Sequence, residues 1–95
     1  MKKAQILWIS HSYATALEGV KKHMHPYCHM IHIVRGTIRF VVDEKDYILK
    51  PGYTILIPKN TNHAFYNDGQ DAGEYLEVKF SLMNNAFSLQ NNNVY

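Results

Sequence analysis

Six histidines occur in this chain of 95 residues, and four of them have a spacing at which imidazoles can share one metal ion. His23 and His25 are two residues apart, so within one strand their side chains project from the same face. His29 has the same parity and stays on that face if the chain remains extended. His63 begins a later strand-like segment. If that segment pairs beside the first, four imidazole nitrogens meet around one ion, at the roughly 2.0–2.1 Å of a zinc–nitrogen bond.

The chemistry expected of such a cluster is metal binding. Neutral imidazole suits zinc, copper, iron and nickel, and a metal held only by neutral ligands keeps its full positive charge. Such a site favours an anionic ligand, a carboxylate or a hydroxide, at any open position. A barrel whose pocket holds no metal is the alternative interpretation of the same four residues. His32 has the opposite parity and His11 lies outside the pattern, so both are interpreted as outward or surface residues.

Short segments rich in β-branched and aromatic residues alternate with turn signals along the chain. Polar or Pro/Gly-containing turns are predicted at 43–46, 50–52 and 58–62. This order predicts an all-β protein, an antiparallel sandwich or barrel. The predicted strands are 6–9, 28–35, 37–42, 47–49, 54–57, 63–66 and 75–80.

Alternation of apolar residues predicts which side chains face the core. In segment 37–42 the inward residues are Ile38, Phe40 and Val42. In segment 75–80 they are Leu76, Val78 and Phe80. The same pattern places Arg39, Glu77 and Lys79 on the outside, as solvated charges. Lys79 would bind an anionic substrate only if it faced inward.

Composition narrows the class of protein. Ten Lys and Arg against eight Asp and Glu give a net charge of +2, too small for a dedicated nucleic-acid surface. The single cysteine, Cys28, allows no intrachain disulfide and fits a reducing compartment. The longest apolar run is shorter than a secretory or membrane segment requires, so a soluble cytoplasmic protein is expected. A domain this small has a thin core, which favours a homodimer.

Two blocks of sequence resemble the two motifs of the cupins. The first is His23-Met24-His25-Pro26-Tyr27-Cys28-His29, with Gly36 after six further residues; the second runs from Gly52 through Pro58, Asn60 and His63 to Asn67. The resemblance implies a cupin double-stranded β-helix, a jelly-roll barrel, over residues 1–83. Residues 84–95 are then an Asn-rich tail or the start of a linker.

The resemblance to the cupins also implies residue roles. Pro58 and Asn60 would shape the loop that delivers the last ligand, and Gly36 and Gly52 would serve turns. His29 stands where the family usually has a glutamate, and Asn60 stands where it has a glycine. Some cupins bind metal through four histidines, and Asn also adopts the left-handed backbone conformation. The implied ligands of a divalent transition metal (Zn, Mn, Fe, Ni or Cu) are His23, His25, His29 and His63.

Segments 32–36, 47–58 and 75–81 are similar to the N-terminal cupin of AraC-type transcription regulators. In that family the barrel binds a small-molecule effector and dimerises, while separate helix-turn-helix units contact DNA. The chain has no helix-turn-helix pattern, so we expect no direct DNA binding by it and no membrane association. The alternative is a free-standing metal-dependent cupin enzyme of the dioxygenase or isomerase type. No general acid or base is evident from sequence, since Glu74 and Glu77 lie far along the chain.

The ligand assignment predicts the behaviour of one double variant. His23→Ala with His25→Ala should abolish uptake of divalent metal because it removes two imidazoles, while the barrel core is untouched. Elemental analysis of the purified protein measures uptake, and circular dichroism checks the fold. A wild-type protein that takes up no divalent metal from a large excess would refute the ligand assignment and leave the fold prediction standing.

Overall fold

The computed structural model describes residues 3–15, 19–67, 72–83 and 94–95. Of residues 3, 19–23, 82 and 83 only the backbone is described. The described residues form eight strands: β1 (Lys3–Ala14), β2 (Gly19–His23), β3 (Cys28–Arg35), β4 (Ile38–Val42), β5 (Lys45–Leu49), β6 (Thr54–Ile57), β7 (His63–Tyr66) and β8 (Gly73–Met83).

The strands form two four-stranded antiparallel sheets. The first, which we call the large sheet, has the order β1-β8-β3-β6, and the second, the small sheet, has the order β2-β7-β4-β5. Consecutive strands therefore often lie in different sheets, as in a jelly roll. The all-β class and the jelly-roll barrel expected from sequence are confirmed.

The interior between the sheets is filled by aliphatic side chains. Ile33, Ile38 and Ile57 have no exposed surface, and Phe40 is almost as fully buried. In β4 buried and partly buried residues alternate strictly, so the predicted inward face of this strand is confirmed. The other buried members of this core are Ala14, Ile31, Val42, Leu49 and Ile55.

The prediction for β8 is wrong. β8 pairs with β3 so that Lys79 lies opposite His29, Glu77 opposite Ile31 and Tyr75 opposite Ile33. Directly opposed residues share a face, and the β3 residues face inward, so these three do too. Leu76, predicted to be buried, is 43% exposed. The outer face of the large sheet is itself apolar, so alternation alone selected the wrong side of the strand.

A β-bulge divides β1 into two halves. Ile6 is the register partner of Phe80, and Trp8 is the partner of Lys79, so Leu7 is an extra residue on β1. Ile6 lies on the outer face, while Trp8 is aligned with the inner face of β8. The apolar run predicted as one short strand thus serves two surfaces.

The end of the chain returns to the barrel. Val94 forms an isolated antiparallel bridge with Ile55 and packs against the core. Thr54 and Tyr95 exchange two backbone hydrogen bonds of 2.7 Å each. The rest of the predicted Asn-rich tail, residues 84–93, lies outside the described residues. Within the described part of the chain, no helix has the length and apolarity needed to cross a membrane.

Five described residues, all in turns or loops, have positive φ values. Asp43 and Glu44, between β4 and β5, have φ values of 50° and 68°, and consecutive positive values are typical of a tight hairpin turn. Gly36 and Gly52 have φ values of 84° and 90°, and Asn60 has 57°. A Cβ at Gly36 would lie 3.0 Å from the Cα of Gly73, whereas a Cβ at Gly52 would have no atom within 4 Å.

These two glycines give a matched test of packing against backbone strain. Gly52→Ala should cost about 1–2 kcal/mol, because only the positive φ disfavours a side chain there. Gly36→Ala should cost about 1–3 kcal/mol more, since its methyl group also overlaps the backbone at Gly73. Urea unfolding measures both changes in the free energy of unfolding. Equal costs for the two variants would contradict the close approach of these two chain segments.

Candidate functional site

The two motifs meet where β2 pairs with β7, and the backbone of His23 is the register partner of His63. The predicted pairing of these segments is therefore present. The side chain of His23 lies outside the described residues, so its role as a fourth ligand stays a prediction.

The expected route of the chain from His23 to His29 is wrong. β2 ends at His23, the chain bends at Pro26 and Tyr27, and β3 then begins at Cys28 in the other sheet. His25 and His29 therefore do not share a strand face. They approach each other because the bend carries the chain from one wall of the barrel to the opposite one.

Three of the four predicted imidazoles lie together inside the barrel. Ring centroids are 5.0 Å apart for His25 and His29, 5.4 Å for His25 and His63, and 4.9 Å for His29 and His63. One ligand atom of each ring lies within 4.8 Å of those of the other two. His29 and His63 are only 3% and 4% exposed, and His25 is partly buried.

Hydrogen bonds fix the tautomers of the two buried rings. Nδ1 of His63 lies 2.9 Å from the carbonyl oxygen of Thr61, which can only accept, so this nitrogen donates. Nδ1 of His29 likewise donates to Oε2 of Glu77 at 2.9 Å. In a neutral imidazole with the proton on Nδ1, Nε2 carries the lone pair that binds metals.

The Nε2 atom of His29 tests whether a metal fits this cluster. It is buried and has no hydrogen-bond partner among the described residues. Leaving a buried polar atom unsatisfied costs about 1–3 kcal/mol, so such an atom in a native interior calls for an explanation. A metal ion between the three rings would satisfy it. Three imidazole nitrogens, one of them otherwise unsatisfied, are a donor set that fits a divalent transition metal.

The pKa of Glu77 is lowered from its usual value, although burial alone would raise it. The hydrogen bond from His29 and the electrostatic interactions with His29, Lys79 and His25 together outweigh the burial. Glu77 is therefore an ionised carboxylate inside the barrel. The sequence offered no clear candidate for an acid or base near the histidines, whereas the structure places Glu77 there because β8 pairs with β3.

The loop before β7 is hydrogen-bonded to the backbone of His25. The backbone N–H of Asn60 donates to the carbonyl oxygen of His25 at 2.7 Å. Asn60 has a positive φ of 57°, a conformation that Asn tolerates better than most residues. The His25 ring stacks on Tyr27 at a centroid distance of 4.9 Å with nearly parallel planes. The second motif thus holds the backbone of the first at His25.

The three histidines form one side of a cavity of about 190 Å³. Glu77 and Lys79 line it from β8, and the remaining lining residues are Ile31, Phe40, Phe65 and Tyr75. From the sequence, Glu77 and Lys79 were predicted to lie on the outside, not in a cavity. The sequence feature that could have indicated this position is the alternation of Tyr75, Glu77 and Lys79. It gives β8 one polar face, which suits the wall of a cavity better than the outside of an apolar sheet.

Three other residues have the outward positions expected from sequence. Nδ1 of His32 lies 2.8 Å from Oγ1 of Thr54, away from the cavity. His11 is exposed, and its Nε2 lies 2.6 Å from a carboxylate oxygen of Glu74. The guanidinium of Arg39 lies over the ring of Tyr66, 4.5 Å from the centroid. None of the three residues lines the cavity.

Comparison with known proteins agrees with this architecture. The family model described as a cupin domain matches residues 13–79. No curated protein matches the chain. A solved structure of a conserved protein of unknown function from Streptococcus pyogenes superposes with a TM-score of 0.72 at 22% identity, covering 85% of this chain and 75% of that one.

Two solved enzymes share the fold at lower coverage of their own chains. A predicted oxalate decarboxylase from Thermotoga maritima has a TM-score of 0.73 and 21% identity over 78% of this chain and 65% of that one. A variant of salicylate 1,2-dioxygenase from Pseudoaminobacter salicylatoxidans has a TM-score of 0.72 and 16% identity over 84% of this chain and 27% of that one. At these identities the likeness shows the fold alone, and this chain spans less than two thirds of either enzyme.

Proposed function

The chain belongs to the cupin family, and we propose that its barrel binds a divalent transition metal together with a small molecule. The ligands in this proposal are His25, His29 and His63, with His23 as the fourth. The observation that carries it is the buried Nε2 of His29, which no described group satisfies and which faces two further imidazoles. When bound, the metal would supply Lewis-acid character and an open position for an anionic ligand.

The hydrogen bonds made by the second ring nitrogens of the candidate ligands support metal binding as well. Metal-ligating histidines usually donate their second ring nitrogen to a carboxylate or carbonyl group, which fixes the ring and strengthens the ligand. His29 does so to Glu77, and His63 does so to the carbonyl of Thr61. Both partners are in place in the protein itself, so the metal would enter a preorganised site.

We propose sensing as the use of this site, in a ligand-binding cupin domain of the AraC type. The sequence resemblance of segments 32–36, 47–58 and 75–81 supports this proposal, as does a cavity suited to a small effector. In such a domain the ligand acts through a dimer rather than through turnover. The DNA-binding units of such a regulator would be separate from this barrel.

The outer face of the large sheet supports a homodimer. Five large apolar side chains from three neighbouring strands are exposed there: Ile6, Ile9, Tyr13, Met30 and Leu76. Exposed apolar faces of this kind usually mark an interaction site. At one end of the face Glu74 holds both His11 and Arg35. A two-fold dimer uses the same patch on both copies, so two copies of this apolar face would cover each other.

A metal-dependent enzyme of the dioxygenase or isomerase type is the second candidate function. One observation favours it, because the carboxylate of Glu77 lines the cavity beside the histidines and could serve as a proton acceptor there. The two candidates differ in their readout. An enzyme converts the molecule that it binds, whereas a sensor releases it unchanged.

A pair of glutamate variants tests the metal site. Glu77→Gln should lower metal affinity roughly ten- to a hundredfold, because an amide holds and polarises the His29 ring less well than a carboxylate. Glu74→Gln is the matched control, since Glu74 is also a β8 residue that is hydrogen-bonded to a histidine, His11, but on the outer face. Competition against a chromogenic chelator measures both affinities.

Two outcomes would contradict the metal site. A wild-type protein that remains metal-free in excess zinc, manganese, iron, nickel and copper would overturn it. So would equal losses of affinity in the two glutamate variants.

The proposed dimer face has its own matched pair of variants. Ile9→Lys should convert the dimer to a monomer of 11.0 kDa, because it places a charge within the apolar outer face of the large sheet. Ile48→Lys is the control, since Ile48 is 52% exposed on the small sheet, against 68% for Ile9. Light scattering after gel filtration measures the mass. A monomeric wild type, or an Ile9→Lys variant that remains dimeric, would refute this face as the interface.

A further inference from the structure

Lys79 is the cationic residue that lines the cavity in the described part of the chain. Its register partners on the two neighbouring strands are His29 on β3 and Trp8 on β1. Because directly opposed residues share a face, the lysine is placed on the inner wall beside the candidate metal ligands. The pairing of the strands therefore places this side chain on the cavity side of the sheet and not on its outer face.

Two aromatic rings flank the ammonium group of Lys79. Its Nζ atom lies 5.7 Å from the ring centroid of Trp8 and 5.7 Å from that of Tyr27. A cation within about 6 Å of an aromatic centroid is attracted to the ring face. One ring comes from β1 and the other from the bend before β3, so the flexible lysine stem is held between two separate chain segments.

Among the described residues, none accepts a hydrogen bond from the ammonium group of Lys79, so a ligand can do so. Within the described residues no carboxylate forms an ion pair with Lys79, and Glu77, two positions away on the same face, is bonded to His29. Aromatic faces attract the charge of an ammonium group but do not replace the oxygen acceptors of its three N–H groups. Lys79 thus influences Glu77 electrostatically but forms no ion pair with it, so its N–H groups are suited to a bound anion.

The remainder of the cavity restricts the size and shape of that anion. A volume of about 190 Å³ corresponds to roughly six water molecules at about 30 Å³ each. Three of the lining residues form an aromatic group: Phe40 lies 5.5 Å from Phe65, and Phe65 lies 6.0 Å from Tyr75, between ring centroids. An apolar body such as a single ring fits against this group.

We propose that Lys79 is the specificity-determining residue of the cavity and binds the carboxylate of a small monocarboxylate with an apolar or aromatic body. The carboxylate accepts hydrogen bonds from Nζ, and the body packs against Phe40 and Phe65. This assignment rests on the proposed function only in that both concern one cavity. Glu77 and Lys79 carry opposite charges, so a bound divalent metal would leave the cavity positive and would add to the preference for an anion.

The single tryptophan makes the test direct. Trp8 is the only tryptophan of the chain, so its fluorescence reports binding beside Lys79. Benzoate and benzamide are the probes, since they share a ring and differ in charge. The wild type should bind benzoate at least tenfold more tightly than benzamide.

Substitutions of Lys79 then test whether this residue causes the preference for benzoate. Lys79→Met and Lys79→Gln should lose the tenfold preference, whereas Lys79→Arg should retain benzoate affinity within about threefold, because a guanidinium also donates to a carboxylate. Lys50→Met, at an exposed position away from the cavity, is the control and should bind both probes as the wild type does. Thermal unfolding followed by circular dichroism confirms that each variant is folded.

Each failure of this experiment can be traced to its source. The titrations are made on protein as purified and on protein treated with chelator. If the wild type takes up no metal yet prefers benzoate through Lys79, the metal site is wrong and the role of Lys79 stands. If Lys79→Met and Lys79→Gln both keep the preference, or if the wild type binds neither probe at millimolar concentration, the role of Lys79 is overturned.

Discussion

The hydrogen bond between His29 and Glu77 is the interaction on which the interior of this barrel depends. It joins two neighbouring strands, β3 and β8, across the inner face of the large sheet. A carboxylate in this position loses solvation, and it remains ionised because the imidazole donates to it from the adjacent strand. The same bond fixes the His29 ring with Nε2 directed away from Glu77. This one contact thus sets the direction of the unsatisfied nitrogen and keeps a partly buried carboxylate ionised.

This contact gives the departure from the usual cupin pattern a physical meaning. The resemblance to the family places a glutamate where this chain has His29, so a direct oxygen ligand is replaced by nitrogen. Glu77 brings a carboxylate back to the site from a different strand, on the far side of the imidazole ring. In the proposed metal site a carboxylate there would increase the basicity of the ring instead of binding the metal itself. The negative charge is retained, but it acts through His29.

The sequence was most informative where a segment has one apolar face and the turns around it are explicit. Segments 28–35, 54–57 and 63–66 were predicted with the bounds of β3, β6 and β7, and Ile38 and Phe40 are buried as expected. The shared pocket of His25, His29 and His63 was also anticipated, although the extended path proposed between the first two is wrong. A bend at Pro26 and Tyr27 reaches the same result by crossing between the sheets.

What the sequence did not reveal depends on contacts between distant segments. Alternation in β8 shows two faces but not which of them is inside, because that depends on how the two sheets stack. Here the apolar face, with Leu76, lies outside, and the charged face of Glu77 and Lys79 lines the cavity. Local pattern equates apolar with internal, and a barrel that keeps a polar cavity violates that rule. The resemblance to AraC-type sensors is a statement about motifs, and it stays a prediction.

The bulge at Leu7 connects two parts of the molecule that are otherwise independent. A regular strand would send Ile6 and Trp8 to the same side, but the inserted residue sends one to the outer surface and the other towards Lys79 and the cavity. Trp8 is 56% exposed and lies beside Lys79, on a strand that carries Ile6 and Ile9 on the outer face. Because of the bulge, one strand carries a residue beside the cavity and residues of the outer face of the large sheet.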